Sequence, residues 1–198
     1  NVLTFSGKLY YNPAKKDVQN LIVNGIKEIV QNYDVDGIHF DDYFYPSLDA
    51  TKYTSTFDAT EYKEYVLQCS ENGTTAKSIV NWRRGNVNTL VKRVYSSIKN
   101  INPDVQFGIS PAGNIDNLMA KNKYYVDIKT WLSSSSYVDY ICPQIYWSFT
   151  NKICPFAETV DRWLSIRTSD TVNMYIGIPV YRAGSNIEPE YLKSTDVI

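Results

Sequence analysis

The residues best suited to chemistry lie in one stretch, Asp36-Gly37-Ile38-His39-Phe40-Asp41-Asp42-Tyr43-Phe44-Tyr45-Pro46. Residues 35–41 predict a strand, and because side chains alternate along a strand, His39 and Asp41 share one face. Asp41 then stands at the carboxyl end of the strand, where α/β active sites assemble, whereas Asp36 at the other end is interpreted as a structural cap. We predict that Asp41, Asp42 or both are functional; the alternative is that Asp42 only caps the following loop.

Polar and aromatic side chains also follow the other predicted strands. Ser110 ends the second strand, Gln144 to Trp147 close the third, and Tyr181 closes the fourth. Rings with polar tips suit the faces of sugars, so Tyr146 and Trp147 are candidates for stacking; the alternative is that they form the edge of the core. The run Trp82-Arg83-Arg84-Gly85-Asn86 precedes a predicted helix, where it either brings guanidinium groups to the same edge or is a solvated helix entry.

Strands and helices alternate along the chain, as the positioning of these residues requires. Near-continuous apolar strands separated by amphipathic helices are typical of parallel β/α units with both sheet faces covered. A complete (β/α)₈ barrel needs about 250 residues, so a chain of 198 residues with four such units predicts half a barrel or an open sheet. We expect one domain over 1–198 with a long inserted loop at about 43–80, helices over 12–33 (with Asn12 as N-cap), 87–98, 128–132 and 156–167, and strands over 35–41, 105–110, 137–147 and 174–181.

The composition excludes several classes of function. The formal net charge is −1, which removes the electrostatic argument for nucleic acid, and no apolar run approaches the roughly 18 residues of a membrane span. His39 is the one histidine and the three cysteines lack metal-ligand spacing, so neither a metal nor another cofactor is expected. The chain starts at Asn1 without a signal-like segment, so any export signal would lie outside it.

These motifs together resemble the bacterial glycosyl hydrolase-like family ten, a group of (β/α)₈-barrel proteins. The match covers nearly the whole chain, and two positions depart from it: Gly85 replaces a usual acidic residue, and Ala112-Gly113-Asn114 stands within the usual S-P-F-G-[IV]-W run. The resemblance implies that the four strands are barrel strands four to seven of a TIM barrel. The matching pieces are Tyr11-Asn12-Pro13, DGIHFDDYFYP from Asp36, W-R-R-x-N from Trp82, F-G-I-S-P from Phe107, D-Y-I-C-P-Q-I-Y-W from Asp139 and Y-I-G-I-P-V-Y from Tyr175.

The function that the resemblance implies is glycoside hydrolysis, with Asp41 as nucleophile or charge stabiliser and Asp42 positioning it or sharing its proton. The His39-x-Asp41 spacing is similar to the strand-four pattern of alpha-amylase barrels. Glycosidic cleavage ordinarily uses two carboxyl groups, and the second is either Asp116 or a residue outside this sequence. The residues expected to bind the polysaccharide are His39, Tyr43, Tyr45, Trp82, Arg83, Arg84, Asn86, Ser110, Gln144, Tyr146, Trp147 and Tyr181.

Two other hypotheses remain open at this point. The chain is either a catalytically silent glycan-binding domain or a fragment without activity of its own. A half-barrel leaves strand edges and apolar faces uncovered, so it should associate with a second copy or with the missing half. The family's bacterial origin implies peptidoglycan or another envelope glycan as substrate, and an extracytoplasmic location.

Overall fold

The computed structural model describes residues 2–41, 44–55, 57–120 and 123–192. It begins with an antiparallel hairpin of Val2–Phe5 (β1) and Lys8–Tyr11 (β2). Ser6 and Gly7 form its turn with φ of 48° and 75°, and two residues at positive φ give a turn whose twist matches that of the strands. The sequence analysis missed this hairpin.

The first helix, α1, spans Lys16–Asn32, and its N-cap is Lys15, three residues later than predicted. The prediction of Asn12 as N-cap is wrong, because its side-chain oxygen accepts a hydrogen bond from the backbone N–H of Ala14 at 3.0 Å. Such a bond two residues ahead makes a local turn that competes with helix initiation.

Four parallel strands form the centre of the molecule, in the order β3-β4-β5-β6. They are Gly37–Asp41 (β3), Gln106–Ser110 (β4), Tyr140–Ile141 (β5) and Asn173–Met174 (β6). The last two are much shorter than predicted, and Pro143, which lacks the N–H that a regular ladder needs, follows shortly after β5. Beyond them the sheet continues as single bridges from Ala112 to Gln144 and from Gln144 to Gly177.

The remaining elements are helical. The predicted inserted loop contains a 3₁₀ helix, Ala50–Ser55, and a full α-helix, Ala59–Glu71 (α2). The next helix, α3, starts at Ile79 rather than after Asn86, because Ser78 Oγ caps it by accepting from the N–H of Asn81. The others are Ile115–Met119 (α4), Ile128–Trp131 (α5) and Phe156–Ile166 (α6), with 3₁₀ turns at Val180–Arg182 and Pro189–Tyr191.

The core lies between one face of the sheet and the helices. Ile38, Phe107, Ile109 and Ile141 project from the strands into a cluster with Val87, Leu90, Val91, Val94, Ile98, Trp131 and Trp163. The opposite face carries the exposed side chains of His39 and Asp41. The expectation that both faces are covered is therefore not met by the described residues. The mixed α/β architecture, with helices against one side of a parallel sheet, is consistent with part of a β/α barrel.

Within the described ranges, no helix combines the length and the apolar character needed to cross a bilayer.

Candidate active site

The uncovered sheet face brings five polar side chains together. We call it the open face and define it by His39, Asp41, Ser110, Tyr140 and Gln144. The parallel register places His39 opposite Gly108, Asp41 opposite Ser110, and Gly108 opposite Tyr140. Residues opposite each other in a sheet project to the same side, so the register gathers groups that lie up to 103 residues apart in sequence.

Asp41 is anchored by Gln144. The Gln144 side-chain nitrogen donates to Asp41 Oδ1 at 2.7 Å and to the backbone oxygen of Ser110 at 3.0 Å. Both partners are acceptors, so only the NH₂ end of the amide satisfies them. The carboxylate of Asp41 is thereby held at the carboxyl end of β3 in a defined orientation.

Ser110 does not offer its hydroxyl to the open face. Its side chain is 9% exposed, and Oγ donates to the backbone oxygen of Cys142 at 2.9 Å. This bond ties β4 to the segment that leads to Gln144. Ser110 therefore supports the site through its backbone oxygen and through this link between strands.

His39 is paired with Tyr140, a residue that the sequence analysis missed. Nδ1 of His39 lies 2.8 Å from the Tyr140 hydroxyl, and the two rings stack at 5.8 Å with an interplanar angle of 26°. Tyr140 also contacts Tyr175 edge to face, at 5.4 Å between centroids. The sequence did indicate that Tyr140 faces the same side as Gln144, because it stands four residues earlier on the same alternating pattern. Its contact with His39 could not be predicted, because that contact depends on the register across β4.

Tyr146, a predicted stacking residue, meets Tyr181, which was predicted to bind substrate. Their rings make an edge-to-face contact at 6.2 Å, and Tyr181 is 72% exposed. Arg182, the next residue, donates to the Tyr181 hydroxyl at 3.0 Å and to the backbone oxygen of Tyr146 at 2.7 Å. This arrangement presents an aromatic surface beside the open face.

Trp147 is positioned by a glycine. A Cβ added at Gly113 would lie 2.7 Å from the Trp147 ring and 2.4 Å from the backbone oxygen of Gln144, so only glycine allows this approach. The Trp147 ring is half-buried against the core. Its contacts are those of a packing residue, and they also fix the backbone that carries Gln144.

Arg83 does not reach the open face. It is fully buried, with Nε donating to Asp58 at 2.8 Å and Nη1 donating to the Tyr125 hydroxyl at 2.8 Å. Its guanidinium also lies 4.8 Å from the centroid of the Tyr125 ring. Burial lowers the pKa of Arg83, but the hydrogen bonds and charge of Asp58 raise it above its ordinary value. The prediction that Arg83 binds substrate is contradicted by this buried ion pair.

Four other predicted binding residues contact other parts of the fold. Trp82 is buried against Tyr62 of α2, at 5.3 Å between centroids, and Arg84 donates to the backbone oxygen of Met119. Tyr45 is 2% exposed and its hydroxyl accepts from Asn86 at 3.2 Å. These side chains hold the segment after β3 against α3. The prediction missed this because it placed residues 82–86 before the helix instead of inside it.

Three predicted carboxylate or aromatic residues remain to be placed. Asp42 and Tyr43 lie outside the described residues. Asp116, the predicted alternative second acid, pairs with Arg162 of α6 at 2.8 Å, and its side chain is 74% exposed. This ion pair lowers the pKa of Asp116. The pair joins α4 to α6.

A metal site is not formed by the described part of the chain, where no group of three His, Cys, Asp or Glu side chains is arranged to hold an ion. The chemistry that the open face offers is that of an oriented carboxylate beside an imidazole, a phenol and an amide.

The sequence matches the glycosyl hydrolase-like 10 family over residues 2–193. The chain belongs to this family. It is 34% identical over 209 residues to glycosyl hydrolase YngK of Bacillus subtilis (strain 168), covering 96% of this chain and 38% of that protein. It is 31% identical over 205 residues to glycosyl hydrolase DigH of Escherichia coli (strain K12), covering 96% of this chain and 44% of that protein. The family prediction is confirmed, and the chain spans less than half the length of these curated relatives.

Proposed function

We propose that this chain supplies the catalytic strand end of a glycoside hydrolase, with Asp41 as nucleophile or charge stabiliser. The observation that carries the proposal is the Asp41 carboxylate at the end of β3, oriented by the Gln144 amide at 2.7 Å. A fixed carboxylate placed where positive charge develops at the anomeric carbon lowers the barrier to glycosidic cleavage. Membership of the glycosyl hydrolase-like 10 family supports the same reaction class.

The contacts on and beside the open face support substrate-binding roles for the other side chains there. His39 and Gln144 contact hydroxyl groups of the sugar bound at Asp41, while Tyr146 and Tyr181 stack on a neighbouring ring. Asp42 positions Asp41 or shares its proton. The leaving oxygen needs a proton from a second carboxyl group, and no other carboxylate of the described ranges is hydrogen-bonded to an open-face side chain. We infer that this acid comes from the part of the protein that this chain does not span.

The test uses the full-length protein and release of reducing ends from peptidoglycan, the envelope glycan proposed as substrate. We expect Asp41→Asn to abolish turnover, because an amide neither attacks nor carries charge. Asp116→Asn is the matched control, since Asp116 is paired with Arg162 among the helices, and it should leave turnover unchanged. Wild-type turnover by Asp41→Asn would overturn the assignment.

One observation favours a second function, a glycan-binding domain without turnover. Asp41 is the one carboxylate that the described residues bring to the open face, and Gly85 stands where the family usually carries an acid. Glycan pulldown without released reducing ends, in the full-length protein, would support silent binding. Any turnover would exclude it.

We also propose that the four parallel strands are barrel strands four to seven and that the protein acts outside the cytoplasm. β3 and β6 are the edges of the described sheet, and unpaired edges invite pairing with another strand. The isolated chain should therefore self-associate or bind the remaining barrel units. Light scattering tests this, and a stable monodisperse monomer would contradict it.

A further inference from the structure

We propose that Tyr140 fixes the tautomer of His39, so that the imidazole presents its Nε2–H on the open face as a hydrogen-bond donor to a sugar hydroxyl. The tautomer part stands on the contacts of these two residues alone. The part that names a sugar hydroxyl rests on the proposed function, because it places His39 beside the sugar that Asp41 acts on.

The two residues reach each other across an intervening strand. The Tyr140 hydroxyl lies 2.8 Å from His39 Nδ1, although β4 separates β3 from β5. Gly108 of β4 makes this possible, since a Cβ there would lie only 2.0 Å from Cζ of the Tyr140 ring. The ring therefore lies directly over Gly108, and no residue with a side chain at position 108 would allow the contact.

The proton of this hydrogen bond can be assigned. Burial, followed by the neighbouring Cys142 and Tyr175, raises the pKa of Tyr140, so the phenol keeps its proton at neutral pH. Among the described residues the hydroxyl has one hydrogen-bond partner, His39 Nδ1. If Nδ1 donated instead, the phenol proton would be left to solvent, whereas donation by the phenol pairs both groups within the protein. The phenol therefore donates, Nδ1 accepts, and in the neutral ring the proton lies on Nε2.

The titratable groups around His39 are compatible with the Nε2–H tautomer. Among the described residues, the charged and titratable groups on this side of the sheet are Asp41 on the same strand, Tyr140 and Cys142 from β5 and its extension, and Tyr175 after β6. The residues of β4 on this side are Gln106, Gly108 and Ser110, and none of them titrates. His39 and Asp41 are two positions apart, or about 6.6 Å along a strand. A ligand that reaches the carboxylate of Asp41 is thus within reach of Nε2.

An Nε2–H donor beside a carboxylate acceptor suits a ligand with adjacent hydroxyl groups. One hydroxyl donates to Asp41 and another accepts from His39, which is the pattern that a sugar ring supplies. The Nδ1–H tautomer would present the lone pair of Nε2 to the ligand instead of a hydrogen-bond donor. Tyr140 is therefore a positioning residue, acting on the ligand through His39.

Nuclear magnetic resonance tests the tautomer directly, because the chain has a single histidine. Long-range ¹H–¹⁵N spectra of the ¹⁵N-labelled chain, recorded at alkaline pH where imidazole is neutral, separate the Nε2–H form from the Nδ1–H form. We expect the Nε2–H form in the wild type and a mixture of both forms in Tyr140→Phe. Tyr175→Phe is the control, since its ring contacts Tyr140 edge to face, and it should keep the wild-type spectrum. A wild-type spectrum of the Nδ1–H form would overturn the proposal, as would an unchanged spectrum in Tyr140→Phe.

Kinetics of the full-length protein test the sugar contact. The amide nitrogen of Gln can replace Nε2 as a donor, whereas the shorter Asn side chain reaches only the position of Nδ1. We expect His39→Asn to lower kcat/KM about 10-fold below His39→Gln, as the loss of one hydrogen bond implies. If both variants are active and their kcat/KM values are equal, the sugar contact of His39 is overturned, while the tautomer result stands. Turnover that survives Asp41→Asn would instead remove the proposed function, and the spectra would still decide the role of Tyr140.

Discussion

Gln144 donates its side-chain amide to the carboxylate of Asp41 at 2.7 Å, across the strand that separates them. The same nitrogen donates to the backbone oxygen of Ser110 on that strand. One amide therefore ties the candidate nucleophile to the centre of the sheet. Both bonds use the NH₂ group of Gln144. The Asp41 carboxylate therefore keeps this partner within the protein whether or not a sugar hydroxyl is bound.

Replacing Gln144 should impair turnover through the orientation of Asp41. In the full-length protein we expect Gln144→Met to lower kcat by about 10- to 100-fold, the effect of losing about 1.5–3 kcal/mol from a hydrogen bond to a charged group. Gln144→Glu should also move the acid limb of the pH–rate profile to higher pH, since two adjacent carboxylates raise the pKa of the pair. Gln106→Met, at the exposed opposite end of β4, is the control and should behave as wild type.

Two glycines should respond to alanine in opposite directions. Gly108→Ala places a methyl group within 2.0 Å of the Tyr140 ring, so we expect a loss of about 1–3 kcal/mol in the free energy of unfolding. Gly85 lies inside α3 with no atom within 4 Å of an added Cβ, so Gly85→Ala should gain about 0.5–1 kcal/mol. Urea denaturation measures both, and a stable Gly108→Ala would contradict the packing of Tyr140 over β4.

The buried ion pair should matter far more for stability than the exposed one. Arg83→Met leaves Asp58 buried without its cation, and we expect a loss of about 3–5 kcal/mol. Arg162→Met breaks the exposed pair with Asp116, which should cost about 0–1 kcal/mol. Chemical denaturation of the two variants gives the comparison. Equal losses would show that Asp58 finds another partner or reaches water.

Tyr45 should make the fold sensitive to alkali. Burial and the charge of Asp58 raise the pKa of Tyr45 well above its ordinary value, which is about 10 in an unfolded chain. A raised folded-state pKa contributes stability that is present below pH 10 and is lost as the pH rises above it, because the unfolded state then releases the proton more readily. We expect Tyr45→Phe to weaken the fall in urea midpoint above pH 10. Tyr33→Phe, at a 61% exposed position, should keep the wild-type slope.

The secondary structure could be predicted where the pattern was local. The alternation around Ile38 and Phe40 predicted β3 and the shared face of His39 and Asp41, and the apolar spacing of Val87, Leu90 and Val94 predicted the body of α3. The ends of the helices were harder to predict, because Asn12 bonds its own turn and the Ser78 cap starts α3 eight residues earlier than expected. These depend on single side-chain hydrogen bonds that leave no periodic pattern.

The family, the strand that carries Asp41 and the choice of that carboxylate as leading candidate could all be read from the residues in order. Which other residues share its surface depends on how distant segments pack. Arg83 and Trp82 looked like binding residues, but burial against Asp58 and Tyr62 makes them supports of the fold. Tyr140 became a site residue because the register of three strands and the missing side chain of Gly108 let it reach His39. Contacts of this kind arise from parallel pairing between distant segments, and no local pattern encodes them.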